Sequence, residues 1–225
     1  IRGALQETFR SGEKDKRQLT TAIDALLTHQ WLGFPFLIFF MWLMFQATGD
    51  DHYAAIARKT EAKLDRCFEL YEGLHHDTGF MWLPTAVADY RLTGNTKSLQ
   101  RGLHAANILA GRYNPKGHFI RAWNPECDPS LDTRGIAIID CMMNIPLLYW
   151  ASEMTGDSRF KTIAMEHADT VLAHTIRPDG SCNHIVVFDP DTGEYLDNPG
   201  GTGQTARRHR IYAGGRHPLT APMVM

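Results

Sequence analysis

The sequence has no cysteine pair with C-x-x-C spacing, no apolar run long enough to span a membrane and no acidic residue after Asp197. The spacing of the four cysteines argues against a zinc site or a redox motif. The apolar run at 34–45 is shorter than the roughly 20 residues that a spanning helix needs. We interpret it as a fully buried helix, with no membrane partner. The polar start has no apolar core like that of a signal peptide, which predicts a cytoplasmic protein.

The charges nearly balance, with 23 Lys and Arg against 25 Asp and Glu in 225 residues. A net charge of −2 gives no basic footprint for a nucleic-acid partner. The end of the chain differs, because residues 205–225 hold four arginines and lack both acids and periodicity. We interpret 205–225 as a non-native or frameshifted tail and 1–204 as the N-terminal part of one helical domain.

An internal repeat indicates helical hairpins. Gly followed by Asp or Asn can end one helix and cap the next, and three such pairs each follow an apolar helical stretch: Gly49-Asp50, Gly94-Asn95 and Gly156-Asp157. Small residues recur eight positions after each Gly and branched ones fifteen positions after it. Such units stack as an open solenoid or close as an α/α barrel.

Two stretches interrupt the helical pattern. Residues 114–134 are rich in Pro, Gly and Asp, and a loop of that length inside a compact domain is usually functional. The β-rich run Ile185–Phe188 and the turn after it predict a small β-hairpin near 181–196.

Residues 136–151 are apolar nearly throughout and are predicted to be a buried helix.

Two aspartates are candidate catalytic residues. Asp140 stands inside an apolar stretch, where burial and a neighbouring carboxylate would raise the pKa of a proton donor. Its alternative role is that of a hydrogen-bonded structural residue. Asp77 stands at a predicted helix start, where its alternative role is an N-cap.

Aromatic and histidine side chains are candidate ligand contacts. Trp31, Phe80, Trp82 and Trp123 could line a sugar subsite or lie in the core. His184 is a possible polar contact. His75, His76 and Asp77 form only a weak metal signal, because adjacent residues point in different directions. Asn144-Ile-Pro146 reads as a local helix start, since Pro is tolerated early in a helix.

Five segments together resemble glycoside hydrolase family 88, the unsaturated glucuronyl hydrolases, over about residues 18–204. They are HHDTGF (75–80), RLTGN (91–95), GHFIRAWN (117–124), IIDCMMNIPLLYWASEMTGD (138–157) and RPDGSCNHIVVFDPDTGEY (177–195). The resemblance implies an all-α fold of the (α/α)6-barrel, six-hairpin type, which would be incomplete in this chain. It also implies that no metal and no organic cofactor is used.

The resemblance further implies removal of a 4,5-unsaturated uronic acid from oligosaccharides produced by polysaccharide lyases. An aspartate protonates the C4=C5 enol ether, and water adds at C5. Asp140 matches the general acid/base and Asp77 the second essential aspartate. The implied substrate contacts are Trp31, His76, Phe80, Trp123, Asn144, His184 and Gln204. Glycosaminoglycan, gellan and xanthan fragments are all open as substrates.

The chain departs from the family pattern after Gln204, where the family's pocket arginine has no secure counterpart. Three alternatives therefore stay open. One is an unsaturated rhamnogalacturonyl hydrolase with the same barrel, and another is a conventional inverting glycosidase with two carboxylates. The third is an inactive helical fragment that only binds sugar.

Overall fold

The computed structural model describes residues 33–71, 73–125 and 132–198. The first part is a pair of helices, α1 (Gly33–Thr48) and α2 (Asp51–Leu64), followed by the short α3 (Arg66–Leu70). Gly49 has φ +70° and ends α1, while Asp50 accepts a hydrogen bond from the backbone N–H of His52 and so caps α2. The predicted helix turn is confirmed here.

The second hairpin is interrupted near its start. Its first arm runs through α4, a π-helical segment and α5, and its second arm is α6. Their bounds are Thr78–Trp82, Leu83–Val87, Ala88–Thr93 and Thr96–Ala110. Gly94 has φ +71° and Asn95 accepts from the N–H of Lys97, so the second predicted turn is also confirmed.

The predicted loop after α6 contains a small antiparallel pair, β1 (Tyr113–Asn114) and β2 (Phe119–Ile120). The prediction of one buried helix over 136–151 is wrong. Residues Ile136–Ile138 form strand β3, and Ile139–Met143 form a 3-10 helix. All three residues of β3 are buried, and a strand buried on both faces is as apolar as a buried helix.

The third hairpin consists of α7 (Pro146–Thr155) and α8 (Ser158–His174). Pro146 stands in the first turn of α7, as the sequence predicts. Gly156 and Asp157 form the third predicted turn between the two helices. Strands β4 (Ile185–Phe188) and β5 (Tyr195–Asp197) then form the predicted hairpin, and β3 pairs antiparallel with β4 at its other edge.

The main core lies between the second and third hairpins, and large side chains fill it: Trp82, Leu109, Leu148 and Trp150. The small residue of the repeat has a packing role there, because a Cβ at Gly102 would lie 2.7 Å from the Trp150 ring. Helices α1 and α2 form a separate cluster.

The prediction that the 34–45 run is fully buried is wrong. Ile38 and Trp42 are buried against α2, but large apolar side chains on the other side of α1 are exposed: Leu37, Phe39, Phe40, Leu43 and Met44. Across the described residues, helices with the length and apolarity of a membrane span are absent.

Candidate active site

The structure brings two candidate segments together around one histidine. Asp77 precedes α4, and Asp140 lies in the 3-10 helix that follows β3. The Nε2 atom of His76 lies 3.2 Å from Oδ1 of Asp77 and 3.4 Å from Oδ1 of Asp140. Asp77 makes no side-chain cap to α4, so its carboxylate faces His76 instead of serving as an N-cap.

The opposite nitrogen of His76 is already committed. Its Nδ1 lies 2.8 Å from the carbonyl oxygen of Ala122, and a carbonyl can only accept, so Nδ1 carries a proton. In a neutral ring Nε2 would then be an acceptor facing two carboxylates. Such a contact is favourable only if a further proton is present, on His76 or on a carboxyl group. The geometry therefore requires one shared proton at this point.

Electrostatics favour placing that proton on the imidazole. Burial is the largest influence on the pKa of His76 and lowers it, because the ring is only 2% exposed. The hydrogen bond to Asp140 and the charges of Asp77 and Asp140 outweigh burial, and the pKa is raised above its ordinary value. Burial and the neighbouring charge of His76 lower the pKa of His75 to about 4.

The expected deep burial of Asp140 is wrong for the side chain as a whole, which is 45% exposed. Its Oδ1 atom, however, is buried against His76. The side chain therefore has one enclosed oxygen and one side open to solvent. This arrangement suits a group that must reach an incoming ligand while staying in contact with a proton partner.

A glycine allows the two segments to approach. A Cβ at Gly79 would clash with the Asn144 backbone. The absence of that atom lets α4 pack directly against the loop before α7. Asn144 is buried, and its Oδ1 accepts the Phe80 N–H at 2.5 Å. Its Nδ2 donates to the Asp140 carbonyl at 3.3 Å. Asn144 therefore links the two aspartate segments and is mainly a positioning residue in this structure.

Arg112 supports the site through hydrogen bonds, and no sequence pattern indicated it. Its guanidinium donates to the carbonyl oxygens of Ala122 and Trp123 at 2.9 and 3.0 Å. It also reaches the Asn124 side chain at 2.7 Å and the Leu74 carbonyl at 3.4 Å. One charged group thus joins the segment after β2, which holds His76 through Ala122, to Leu74, the residue that precedes His75. Such contacts to backbone carbonyls leave no pattern in side-chain spacing.

The remaining predicted ligand contacts lie at different distances from this centre. Phe80 is half-buried and meets Phe36 edge to face, with ring centroids 5.7 Å apart. Trp123 is half-buried and packs against the cluster of Ala122 and β3, as a core residue would. The backbone carbonyl of His184 accepts from the Ile139 N–H, which places it beside the Asp140 segment. Trp31 and Gln204 lie outside the described residues.

The three residues of the weak metal signal lie close together in the structure. Ligand atoms of His75, His76 and Asp77 lie within 4.8 Å of one another. However, Nδ1 of His75 accepts the Asp77 backbone N–H at 3.3 Å, and Nδ1 of His76 donates to Ala122. Nε2 of His76 faces both carboxylates, and Nδ1 of His75 also lies 3.7 Å from Oδ2 of Asp77. The hydrogen bonds of this group fit proton sharing better than a shared ion, and the absence of a metal stays a prediction.

Comparison with known proteins finds curated relatives and solved structures that are similar to this chain. No protein-family model matches the chain. The unsaturated chondroitin disaccharide hydrolase of Streptococcus pyogenes is 40% identical over 155 residues, which cover 68% of this chain and 38% of that protein. The solved unsaturated glucuronyl hydrolase of Bacillus sp. GL1 aligns with a TM-score of 0.69 at 33% identity, over 74% of this chain and 44% of that one.

The helical hairpins and this alignment define a protein of the (α/α)6-barrel class, as predicted. Over its matched part, the chain belongs to the unsaturated glucuronyl hydrolase family, glycoside hydrolase family 88. It spans about two fifths of the length of the curated hydrolases that it matches.

A second kind of relative matches a short stretch. The Fe(2+) transport protein A/Fe(2+) transporter FeoB fusion protein of Porphyromonas gingivalis is 52% identical over 48 residues, which cover 21% of this chain and 6% of that protein. Two further Fe(2+) transporters match over 44 and 48 residues. These three relatives are named as iron transporters and not as hydrolases.

Proposed function

We propose that the chain carries the acid/base centre of a hydrolase that removes a 4,5-unsaturated uronic acid from the non-reducing end of an oligosaccharide. The observation that carries the proposal is the contact of one histidine nitrogen, Nε2 of His76, with both Asp77 and Asp140. The relatives support it, since they are named as unsaturated glucuronyl and chondroitin disaccharide hydrolases.

The proposed reaction begins with proton transfer to carbon. Asp140, supplied with the proton that it shares with His76, protonates C4 of the C4=C5 enol ether. Positive charge then develops at C5 and the ring oxygen. The Asp140 carboxylate takes a proton from water as its oxygen bonds to C5, which restores the acid. The resulting hemiketal opens, C1 becomes a hemiacetal, and its collapse releases the next sugar.

Asp77 has a different part in this scheme. Its negative charge, 3.2 Å from Nε2, stabilises the imidazolium form of His76 and so keeps a proton available beside Asp140. Two carboxylates and one histidine form a coupled system whose protons belong to the group and not to single residues. Replacing Asp77 by Asn should therefore lower the pH at which the reaction loses its proton donor.

The names and bound ligands of the relatives support a substrate class. Solved hydrolases of this family contain dGlcA-Glc-Rha-Glc in one case and dGlcA-GalNAc6S in another. The relative at 40% identity is named for chondroitin disaccharide. We propose an unsaturated glycosaminoglycan disaccharide as the first substrate to test, with gellan and xanthan fragments as further substrates.

Ultraviolet absorbance tests the proposal, because hydration destroys the conjugated C4=C5 carboxylate. The wild-type chain should remove the absorbance of an unsaturated chondroitin disaccharide, and Asp140→Asn should reduce the rate by about 100-fold or more. Asp169→Asn, on the exposed side of α8, is the matched control and should keep the wild-type rate. Equal rates for both variants would reject the assignment.

One second candidate has a specific observation in its favour. The chain spans about two fifths of its relatives, so it could be a fragment that binds sugar without turnover. Calorimetry with the same disaccharide distinguishes the two cases. Binding without loss of absorbance by a folded chain would favour the fragment. Saturated chondroitin disaccharide serves as the control for a conventional glycosidase, which would cleave it.

A further inference from the structure

The length of the stretch that is similar to the Fe(2+) transporters limits where it can lie in this chain. The family motifs run from His75 to Tyr195, and only 30 residues follow Tyr195. A stretch of 48 residues does not fit there. If it shares no residues with the motifs, it lies within residues 1–74. Every stretch of 48 residues inside 1–74 contains residues 27–48, so Trp31 and all of α1 belong to it wherever it begins.

The composition of α1 is consistent with a separate origin. Its 16 residues include no charged side chain, and both of its faces are apolar. One face packs on α2, while large apolar side chains on the other remain exposed, Phe40 at 51% among them. Helix α2 differs, since it exposes Arg58, Lys59 and Lys63, and α6 exposes the polar side chains of Thr96, Lys97 and Gln100. A surface helix of a water-exposed domain normally has such a polar side.

The transporter-like stretch and the hydrolase-like part of the chain would meet near the turn between α1 and α2, and this turn is formed by local contacts. Gly49 ends α1 through its positive φ, and Asp50 caps α2 with its own carboxylate. These are the features that the hydrolase part repeats at Gly94-Asn95 and Gly156-Asp157. Helix α2 therefore begins correctly whatever helix precedes it.

Helix α1 contacts both α2 and the second hairpin. Its Ile38 and Trp42 pack on Ala54 and Ala57 of α2, in a cluster separate from the main core that Ala88 and Leu92 of α5 also contact. Phe36 meets Phe80 of α4 edge to face. The indole Nε1 of Trp42 donates to the buried Glu61 at 2.7 Å. A helix needs only one apolar face and one donor to dock in this way, so the fit does not require a shared origin.

From these observations we propose that the chain is a joined molecule. A transporter-type segment that includes residues 27–48 precedes a hydrolase-family part, and α1 takes the place of a helix that the family supplies itself. This division differs from the single domain predicted over 1–204. A consequence, which rests on the proposed function, is that Trp31 is not a sugar-contacting residue. The matched stretch is 6% of the transporter, and we assign no iron transport to it.

A graft tests the join without using activity. Residues 1–48 are replaced by the 48 residues that precede the matched region in the Streptococcus pyogenes hydrolase. If α1 is foreign, the family's own helix should pack better on Ala54 and Ala57 and raise the melting temperature by about 5 °C or more. The control graft replaces Asp51–Leu64 by the aligned residues of the same relative, and it should shift the melting temperature by less than about 2 °C.

The outcomes are separable. A higher melting temperature in the first graft alone supports the join. An unchanged or lower melting temperature in the first graft overturns it, provided that the control graft folds. If the control graft does not fold, circular dichroism of the first graft decides. A loss of helical signal in the first graft would show that the family's helix does not pack on α2, which contradicts the proposal.

Sugar binding gives a second test, performed in the Asp140→Asn background to prevent turnover. Trp31→Ala should change the dissociation constant for the unsaturated disaccharide less than about twofold. A loss of about tenfold or more, at an unchanged melting temperature, would overturn the assignment of Trp31. Failure of the unsubstituted chain to bind would count against the proposed function, and the graft would still decide the join.

Discussion

The carbonyl oxygen of Ala122 accepts a hydrogen bond from Nδ1 of His76 at 2.8 Å, and this contact determines which ring nitrogen faces Asp77 and Asp140. Arg112 donates to the same carbonyl, so the acceptor is held from two sides. The protonation of the candidate site thus depends on a backbone atom about 46 positions away in sequence.

Arg112 is the first test of this support. Replacing Arg112 by Lys keeps the charge but removes the planar guanidinium that donates to five backbone and side-chain acceptors near His76. We expect a loss of about 2 to 4 kcal/mol in the free energy of unfolding, because partly buried carbonyl oxygens are left without partners. Urea denaturation measures the change. Lys116→Ala, on the exposed loop between β1 and β2, is the control and should change it by less than about 0.5 kcal/mol.

Gly79 provides the second test of the support around the candidate site. A Cβ at this position would meet the Asn144 backbone, which has no flexible end that can move aside. Gly79→Ala should destabilise the fold by about 2 kcal/mol and separate the Asp77 and Asp140 segments. Gly111→Ala is the control, since there the nearest atoms are 3.3 and 3.4 Å from the added carbon and φ is ordinary. Equal stability of the two variants would show that the close approach at Gly79 is not required.

Stability should fall in mild acid because of buried neutral histidines. Burial and the charge of His76 lower the pKa of His167 to about 4, and burial lowers that of His75 to a similar value. The unfolded chain binds these protons near pH 6.5. The contribution of the two neutral histidines to stability is therefore complete above that pH and is lost between about pH 6.5 and 4. Each group contributes up to about 3 kcal/mol. His76 has the opposite sign, because its raised pKa favours folding at low pH and this contribution is lost as pH rises.

The variant His167→Gln isolates one of these groups. Glutamine can still accept the Ile120 N–H, which His167 accepts at 3.1 Å, but it does not titrate. Unfolding experiments at pH 7.5 and 5 should show a smaller loss of stability for this variant than for the wild type. The same slope in both would contradict the assignment of a buried neutral His167.

Asp89 gives a separate test in the fold away from the site. It is fully buried, and although burial raises its pKa, hydrogen bonds from Arg58, Ser98, Thr93 and Asn95 outweigh this and lower it. Asp89→Asn should cost about 3 kcal/mol, because a buried partner of Arg58 is lost. The wild type should lose the same contribution as pH falls below about 4, the ordinary pKa of Asp.

The exposed Asp51, in the first turn of α2, provides the comparison for Asp89. Asp51→Asn should cost less than about 0.5 kcal/mol at neutral pH. Thermal denaturation of both variants at pH 7 and pH 3.5 is sufficient. If Asp89→Asn is as stable as Asp51→Asn, the network around Asp89 does not stabilise the chain.

The sequence could predict the turns, because Gly49, Gly94 and Gly156 and the capping residues after them act locally. It could not distinguish β3 from a helix, since Ile136–Ile138 are buried on both faces and lose the alternation that marks a strand. It indicated both aspartates, but it gave no sign of Ala122 or Arg112. Their contacts use backbone atoms brought together by folding, which no spacing of side chains records.

The three helix turns share a property that concerns how such chains can be cut and rejoined. At each turn the capping carboxylate or amide belongs to the downstream helix, and the glycine before it needs no partner beyond its own backbone. The capping bond of each second helix therefore needs no group from the preceding helix, although Asn95 also donates its amide to Asp89 of α5. Circular permutants opened at Gly94 or Gly156 should keep their helix starts, and recombination at these codons would yield folded chains more often than recombination inside a helix.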